Sequence, residues 1–190
     1  MDYLLKQEFD SYRVKNEQHP LQKEYDIDAR PMSHAELDEW RRNFGGIRYL
    51  HKPTGFLVTG AIDDLWINGK DEYIVVDYKA TAKDEAVKAL DKGWQDGYKR
   101  QMEVYQWLLR QNGLKVSDVG YFVYCTGKMD RQAFDKRIDF DVNLIEHKGD
   151  DSWVEKTLFE IKKCLDGVIP HSGESCDHCA YWNSRRQFEK

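Results

Sequence analysis

A chain of 190 residues and 22.5 kDa has room for one α/β domain with a sizeable core and a small appendage, but not for two full domains. With 41% hydrophobic, 33% charged and 13% aromatic residues it reads as a folded protein and not a disordered one, and its net charge of −5 argues against coating duplex DNA through a broad basic surface. No apolar run reaches membrane-spanning length, and the opening Met-Asp-Tyr-Leu-Leu-Lys-Gln-Glu lacks the basic start and apolar core of a signal peptide, so a cytoplasmic location with no membrane partner is expected.

In chain order, the periodicity predicts a helix over 2–15 with Leu5, Glu8, Phe9 and Tyr12 on one stripe, which sets an acid on its apolar face. Ser33 followed by Glu36 has the spacing of a capping box and opens a second helix to about Asn43, ended by Gly45-Gly46. Strands are expected at 47–51, 56–67 and 72–79. A long helix over 96–111, stopped by Asn112-Gly113, buries Tyr98, Met102, Tyr105 and Leu109. Strands at 119–126 and 134–142 follow, then a helix over 152–166 carrying Val154, Leu158, Ile161 and Leu165. Helix, β-meander, helix and strand in that order imply a mixed α/β layering with the meander covered by helices.

The chemistry concentrates in residues 60–81. Residues two apart on a strand share a face, so Asp77 and Lys79 point one way and Tyr78 the other. The run Tyr73-Ile74-Val75-Val76 reads as buried on both faces, and an acid at the mouth of such a strand needs a partner or a metal. Mg²⁺ is commonly held by one or two carboxylates with phosphate and water oxygens, and a neighbouring Lys can orient the attacking water. For Asp63 to join Asp77, the hairpin signalled by Asn68-Gly69 must have an odd loop, roughly three or five residues, or a bulge; a two-residue loop would align odd positions with even ones. The odd register also puts Leu65 and Ile67 on the face of Tyr73 and Val75, and Gly60 leaves room for close approach. An Asp-x-Lys at a strand end also arises as a solvated ion pair capping a sheet.

These residues resemble the PD-(D/E)XK nuclease superfamily over most of the chain, and particularly its RecB-like branch, which includes CRISPR-associated adaptation exonucleases and helicase-linked nuclease domains. Gly60-Ala61-Ile62-Asp63 resembles the G-x-x-D strand, Val75-Val76-Asp77-Tyr78-Lys79-Ala80-Thr81 the D-x-K-T element, and Gln101-Met102-Glu103-Val104-Tyr105 the Q-x-x-x-Y motif. Val76 stands where the superfamily's name has Pro, and Thr81 is displaced by Ala80.

The resemblance implies a restriction-endonuclease-like α/β core, a mixed central sheet flanked by helices, over 1–170, with a tail over 171–190 packed on it. It implies Mg²⁺ or Mn²⁺ on Asp63 and Asp77, the Tyr78 carbonyl as a third ligand, and Lys79 as the residue that positions or deprotonates water. Gln101 and Tyr105, four apart on a helix, would organise the site or touch DNA. From the first helix an acid or His is expected, with Glu8 or His19 the candidate. Asp64 falls on the opposite face as a supporting or structural group.

The resemblance further implies DNA as partner, single strands or ends, and raises a helicase or CRISPR-type protein as a second. The alternative is a non-cleaving nucleic-acid-binding or assembly module. Trp66, Tyr78, Trp94 and Trp107 are aromatics available to stack bases, with the core as their ordinary place.

The four cysteines are Cys125, Cys164, Cys176 and Cys179. Cys176 and Cys179 form a CxxC that relatives extend into a 4Fe–4S site, which needs about four thiolates. Two close ligands are insufficient, so an iron–sulfur cluster is not expected in this chain; a zinc site with His171 or His178 would rest on the same half-motif. Cys125, inside a strand, is expected to be a buried free thiol.

Overall fold

The computed structural model describes residues 1–173, 175–186 and 188 of the chain. Residues Met1–Val154 form one compact unit and those from Glu155 onward a second. The first contains α1 (Asp2–Lys15), α2 (Pro20–Glu24), β1 (Ala29–Pro31), α3 (Leu37–Trp40), β2 (Ile47–His51), β3 (Phe56–Gly60), β4 (Asp64–Asn68), β5 (Tyr73–Ala82), a 3₁₀ turn (Gly93–Gln95), α4 (Asp96–Gln111), β6 (Val119–Gly127) and β7 (Phe140–Lys148). Helices α5 (Ser152–Asp166) and α6 (Asp177–Arg186) fall mainly in the second. None of the helices is long and apolar enough to cross a membrane.

Five strands make a mixed sheet in the order β1-β4-β5-β6-β7, antiparallel throughout except for the parallel pair β5 and β6. That parallel step requires a crossover, and α4 supplies it, covering one face of the sheet. The other face packs on α1: Leu5 and Phe9 join Trp66, Ile74, Val76, Tyr78, Tyr121, Val123 and Cys125 in one buried cluster. The result is the mixed α/β sheet flanked by helices expected of the restriction-endonuclease-like fold.

Several local expectations change. The strand read at 56–67 is two: β3 pairs with β2 in a separate two-stranded sheet, and the chain breaks at 61–63 before entering the main sheet as β4. The second helix shrinks to α3, with Glu36 at its N-cap and no side-chain cap from Ser33. The last strand runs over Phe140–Lys148 and not 134–142, because Asp135 and Lys136 adopt left-handed backbone angles that no strand accommodates. Edge strand β1, whose Pro31 an edge tolerates, and helix α2, capped by His19, were not foreseen. In α1 the buried side chains are Leu5, Phe9 and Arg13; Glu8 lies outside the stripe with 58% of its side chain exposed.

Candidate active site

The hairpin of β4 and β5 sets the position of the acids. Asp64 faces Val76, Leu65 faces Val75, Trp66 faces Ile74 and Ile67 faces Tyr73. The Asn68 N–H donates to the Glu72 carbonyl at 3.1 Å, leaving Gly69, Lys70 and Asp71 as a three-residue loop whose last member turns left-handed at φ 57°. This odd loop carries Asp63, one residue before β4, to the level of Asp77.

Because β4 begins at Asp64, the Tyr78 N–H lacks a strand partner on that side, and the Asp63 Oδ2 accepts it at 2.8 Å. Asp63 Oδ1 meets the Lys6 ammonium at 3.4 Å, and Lys6 also holds Asp2 at 3.0 Å. Asp77 is 4% exposed at its side chain and paired with Lys79.

Burial is the main reason the Asp77 carboxyl is pushed up to about 6; Lys79 pulls it down, while Asp63 and Asp2 push it further up. Burial, more than the surrounding charges, disfavours the Asp77 carboxylate. That is the condition a bound cation relieves, and carboxylate oxygens suit a hard divalent ion. Among the described residues no three His, Cys, Asp or Glu side chains group closely enough to hold a metal.

Helix α4 closes the site from above. Lys79 Nζ donates to Gln101 Oε1 at 3.2 Å and lies 4.7 Å from the centre of the Tyr98 ring. Tyr105, one helical turn beyond Gln101 on α4, has its phenol held protonated well above its ordinary range by burial first and by Asp77 and Asp63 second. Gly60 makes this packing possible: a Cβ there would stand 2.7 Å from the Tyr105 ring. Beside this line an open groove of about 430 Å³ is lined by Thr59, Gly60, Arg100, Gln101, Val104, Tyr105 and Trp153.

The opposite face of the hairpin is a different kind of cluster. Asp64 is fully buried and receives Arg13, Arg41 at 2.7 Å, the Tyr78 hydroxyl at 2.7 Å and its neighbour's Leu65 N–H at 2.7 Å. Arg41 also donates to the Asp63 carbonyl at 3.0 Å and to both oxygens of Asp10 at 3.0 Å. Burial opposes the Arg41 charge, yet Asp64 and Asp10 hold it above its usual range. Asp63 and Asp64 therefore grip the same residue, one at the Tyr78 N–H and the other at its hydroxyl.

The structure thus brings Asp63, Asp77, Lys79, Gln101 and Tyr105 together, with Tyr78 between the strand acids. Glu8 and His19 form a pair at 3.0 Å, with the imidazole stacked on Phe9 at 4.2 Å and its pKa lowered chiefly by burial. The groups of α1 that reach the acids are Lys6 and Asp2, which the sequence reading passed over; their four-residue spacing was the available signal. Arg13 and Arg41 were also missed. Of the four candidate stacking aromatics, Trp66, Tyr78 and Trp107 are buried and Trp94 is 58% exposed.

Cys125 is a buried free thiol, its pKa pushed up to about 11 mainly by burial. Cys176 and Cys179 are also free and adjoin each other; hydrogen bonds from Cys179 lower the Cys176 thiol.

The arrangement defines a restriction-endonuclease-like α/β protein with two acids and a lysine at one end of a mixed sheet. The family model of the PD-(D/E)XK nuclease superfamily matches residues 2–184, and the chain belongs to that superfamily. No curated protein and no solved structure matches it. Membership makes hydrolysis of nucleic acid the activity expected, and nucleases of this superfamily typically use divalent metals.

Proposed function

We propose that this chain is an Mg²⁺- or Mn²⁺-dependent deoxyribonuclease that hydrolyses phosphodiester bonds in single strands or at ends, in the manner of the RecB-like exonucleases it resembles. The convergence of Asp63, Asp77 and Lys79 on one face of the β4–β5 hairpin carries this reading.

Asp63 and Asp77 would hold the ion, with the Tyr78 carbonyl as a further oxygen donor. When bound, the metal supplies a Lewis acid that polarises the phosphoryl group and promotes water as a nucleophile at neutral pH. The other work falls to the chain. The Lys79 ammonium, paired with Asp77, orients the attacking water and neutralises the charge that develops on phosphate. Gln101 fixes the Lys79 ammonium from α4, and Tyr105, one helical turn further on, closes the site against Gly60. Glu8 and His19, engaged with each other, serve the packing of α1 and not the metal. A cytoplasmic location and a helicase or CRISPR-type partner belong to the same reading.

The test is to incubate the protein with single- and double-stranded DNA and RNA in Mg²⁺, Mn²⁺ or chelator, beside Lys79→Ala and Asp77→Ala. Metal-dependent cleavage of DNA, lost in both variants, is expected. Binding without cleavage in any metal would replace this reading with a non-cleaving binding module.

A further inference from the structure

We infer that Trp94 is a stacking platform for an unpaired base of the substrate, and that Lys83 takes the adjoining phosphate; this rests on the nuclease reading above. Trp94 sits on the 3₁₀ turn that leads into α4, with 58% of its surface exposed. The turn is capped from inside, the buried Gln95 accepting the Lys92 N–H at 2.9 Å, so the backbone that presents the indole is already formed.

The indole leads directly to the reacting centre. Trp94 packs edge-on against Tyr98 at 5.8 Å between ring centres, and Tyr98 carries the Lys79 ammonium at 4.7 Å. A base resting on Trp94 therefore lies one aromatic ring away from the lysine assigned to the attacking water.

The face of the indole is occupied by a cation. Lys83 Nζ lies 5.5 Å from its centre, and Lys83 has no carboxylate partner among the described residues. An exposed cation–π contact is weaker than stacking of a base on an aromatic face, so a base displaces the ammonium. Freed from the ring, Lys83 stands beside the phosphate that enters with that base. The chemistry selects single strands, because bases inside a duplex are stacked on one another and their faces are closed.

The experiment measures the affinity of the full chain for a labelled single-stranded 12-mer and for a blunt hairpin duplex by fluorescence anisotropy. Ca²⁺ replaces Mg²⁺ so that binding is read without cleavage. Trp94→Ala is expected to weaken single-strand binding roughly 5- to 150-fold, Trp94→Phe to retain most of it, and duplex binding to change less than about twofold. Single-strand affinity of Trp94→Ala within twofold of the parent, or an equal loss on both substrates, overturns the platform while leaving metal-dependent cleavage by the parent intact. A parent that neither binds nor cleaves in Mg²⁺ or Mn²⁺ overturns the nuclease reading and the platform with it.

Discussion

The two faces of the β4–β5 hairpin treat adjacent acids in opposite ways. On the α1 side, Asp64 is buried under two guanidiniums, a phenol and a backbone N–H, so its charge is matched on every side. On the α4 side, Asp77 is almost as deeply buried but has Lys79 as its ion-pair partner and two further carboxylates pressing on it. Saturation marks a structural anion; burial that disfavours the charged form of a carboxyl is a condition that a bound cation relieves. Asp63 and Asp64 are neighbours in the chain, and the strand alternation that set them on opposite faces in the sequence puts Asp63 at the Tyr78 N–H and Asp64 at its hydroxyl.

Breaking each face should give distinct results. Lys79→Ala should lower the cleavage rate roughly 10²- to 10⁴-fold, the range for losing a group that manages developing charge, with only a small loss of denaturation midpoint at pH 7, because the buried Asp77 carboxyl takes up a proton in place of its lost partner. Asp64→Ala should do the reverse in kind: it leaves Arg13 and Arg41 buried beside an empty site and should cost about 3–5 kcal/mol in urea unfolding.

Asp77→Asn sharpens the contrast, since it should abolish cleavage while stabilising the metal-free protein at pH 7. The rise of the Asp77 carboxyl to about 6 sets an upper bound of about 3 kcal/mol on that gain. An Asn variant less stable than the parent would show that Lys79 already satisfies the charge.

The same rise fixes the pH dependence. A carboxyl more basic in the folded than in the unfolded chain contributes stability that is complete below about pH 4 and lost as pH climbs through 6. Metal-free stability should therefore fall across pH 4–6 by the part that Asp77→Asn removes, while cleavage at limiting metal should rise through the same window. The smallest effect is expected from Tyr105→Phe. It removes the phenol hydroxyl but keeps the ring against Gly60, and should cost about tenfold in rate or less, near 1 kcal/mol.

Much of the active face was legible before any coordinates. Parity alone required an odd loop if Asp63 was to meet Asp77, and the three-residue Gly69-Lys70-Asp71 loop supplies it. The apolar run into Asp77 and the four-residue spacing of Gln101 and Tyr105 likewise translated directly into position. The α1 side was not legible, because hydrophobic periodicity ignores a buried arginine. Arg13 completes the stripe of Leu5 and Phe9 only because Asp64 waits beneath it, and no local pattern announces that partner. Glu8 was set on the apolar face by the same blindness. The break at 61–63 was hidden for a related reason: residues 56–67 are continuous in strand propensity, and only the pairing of β3 with β2 divides them.

The central claim is that Asp63 and Asp77 together seat a divalent ion. Titration of Mn²⁺ into the metal-free protein by calorimetry, in buffers of different ionisation enthalpy, tests it most directly. The parent should bind the ion with release of a proton fraction that grows as pH falls through 6, and Asp77→Asn should lose both the binding and the proton release. Undiminished binding in Asp77→Asn, or binding by the parent with no proton release near pH 6, would contradict the account.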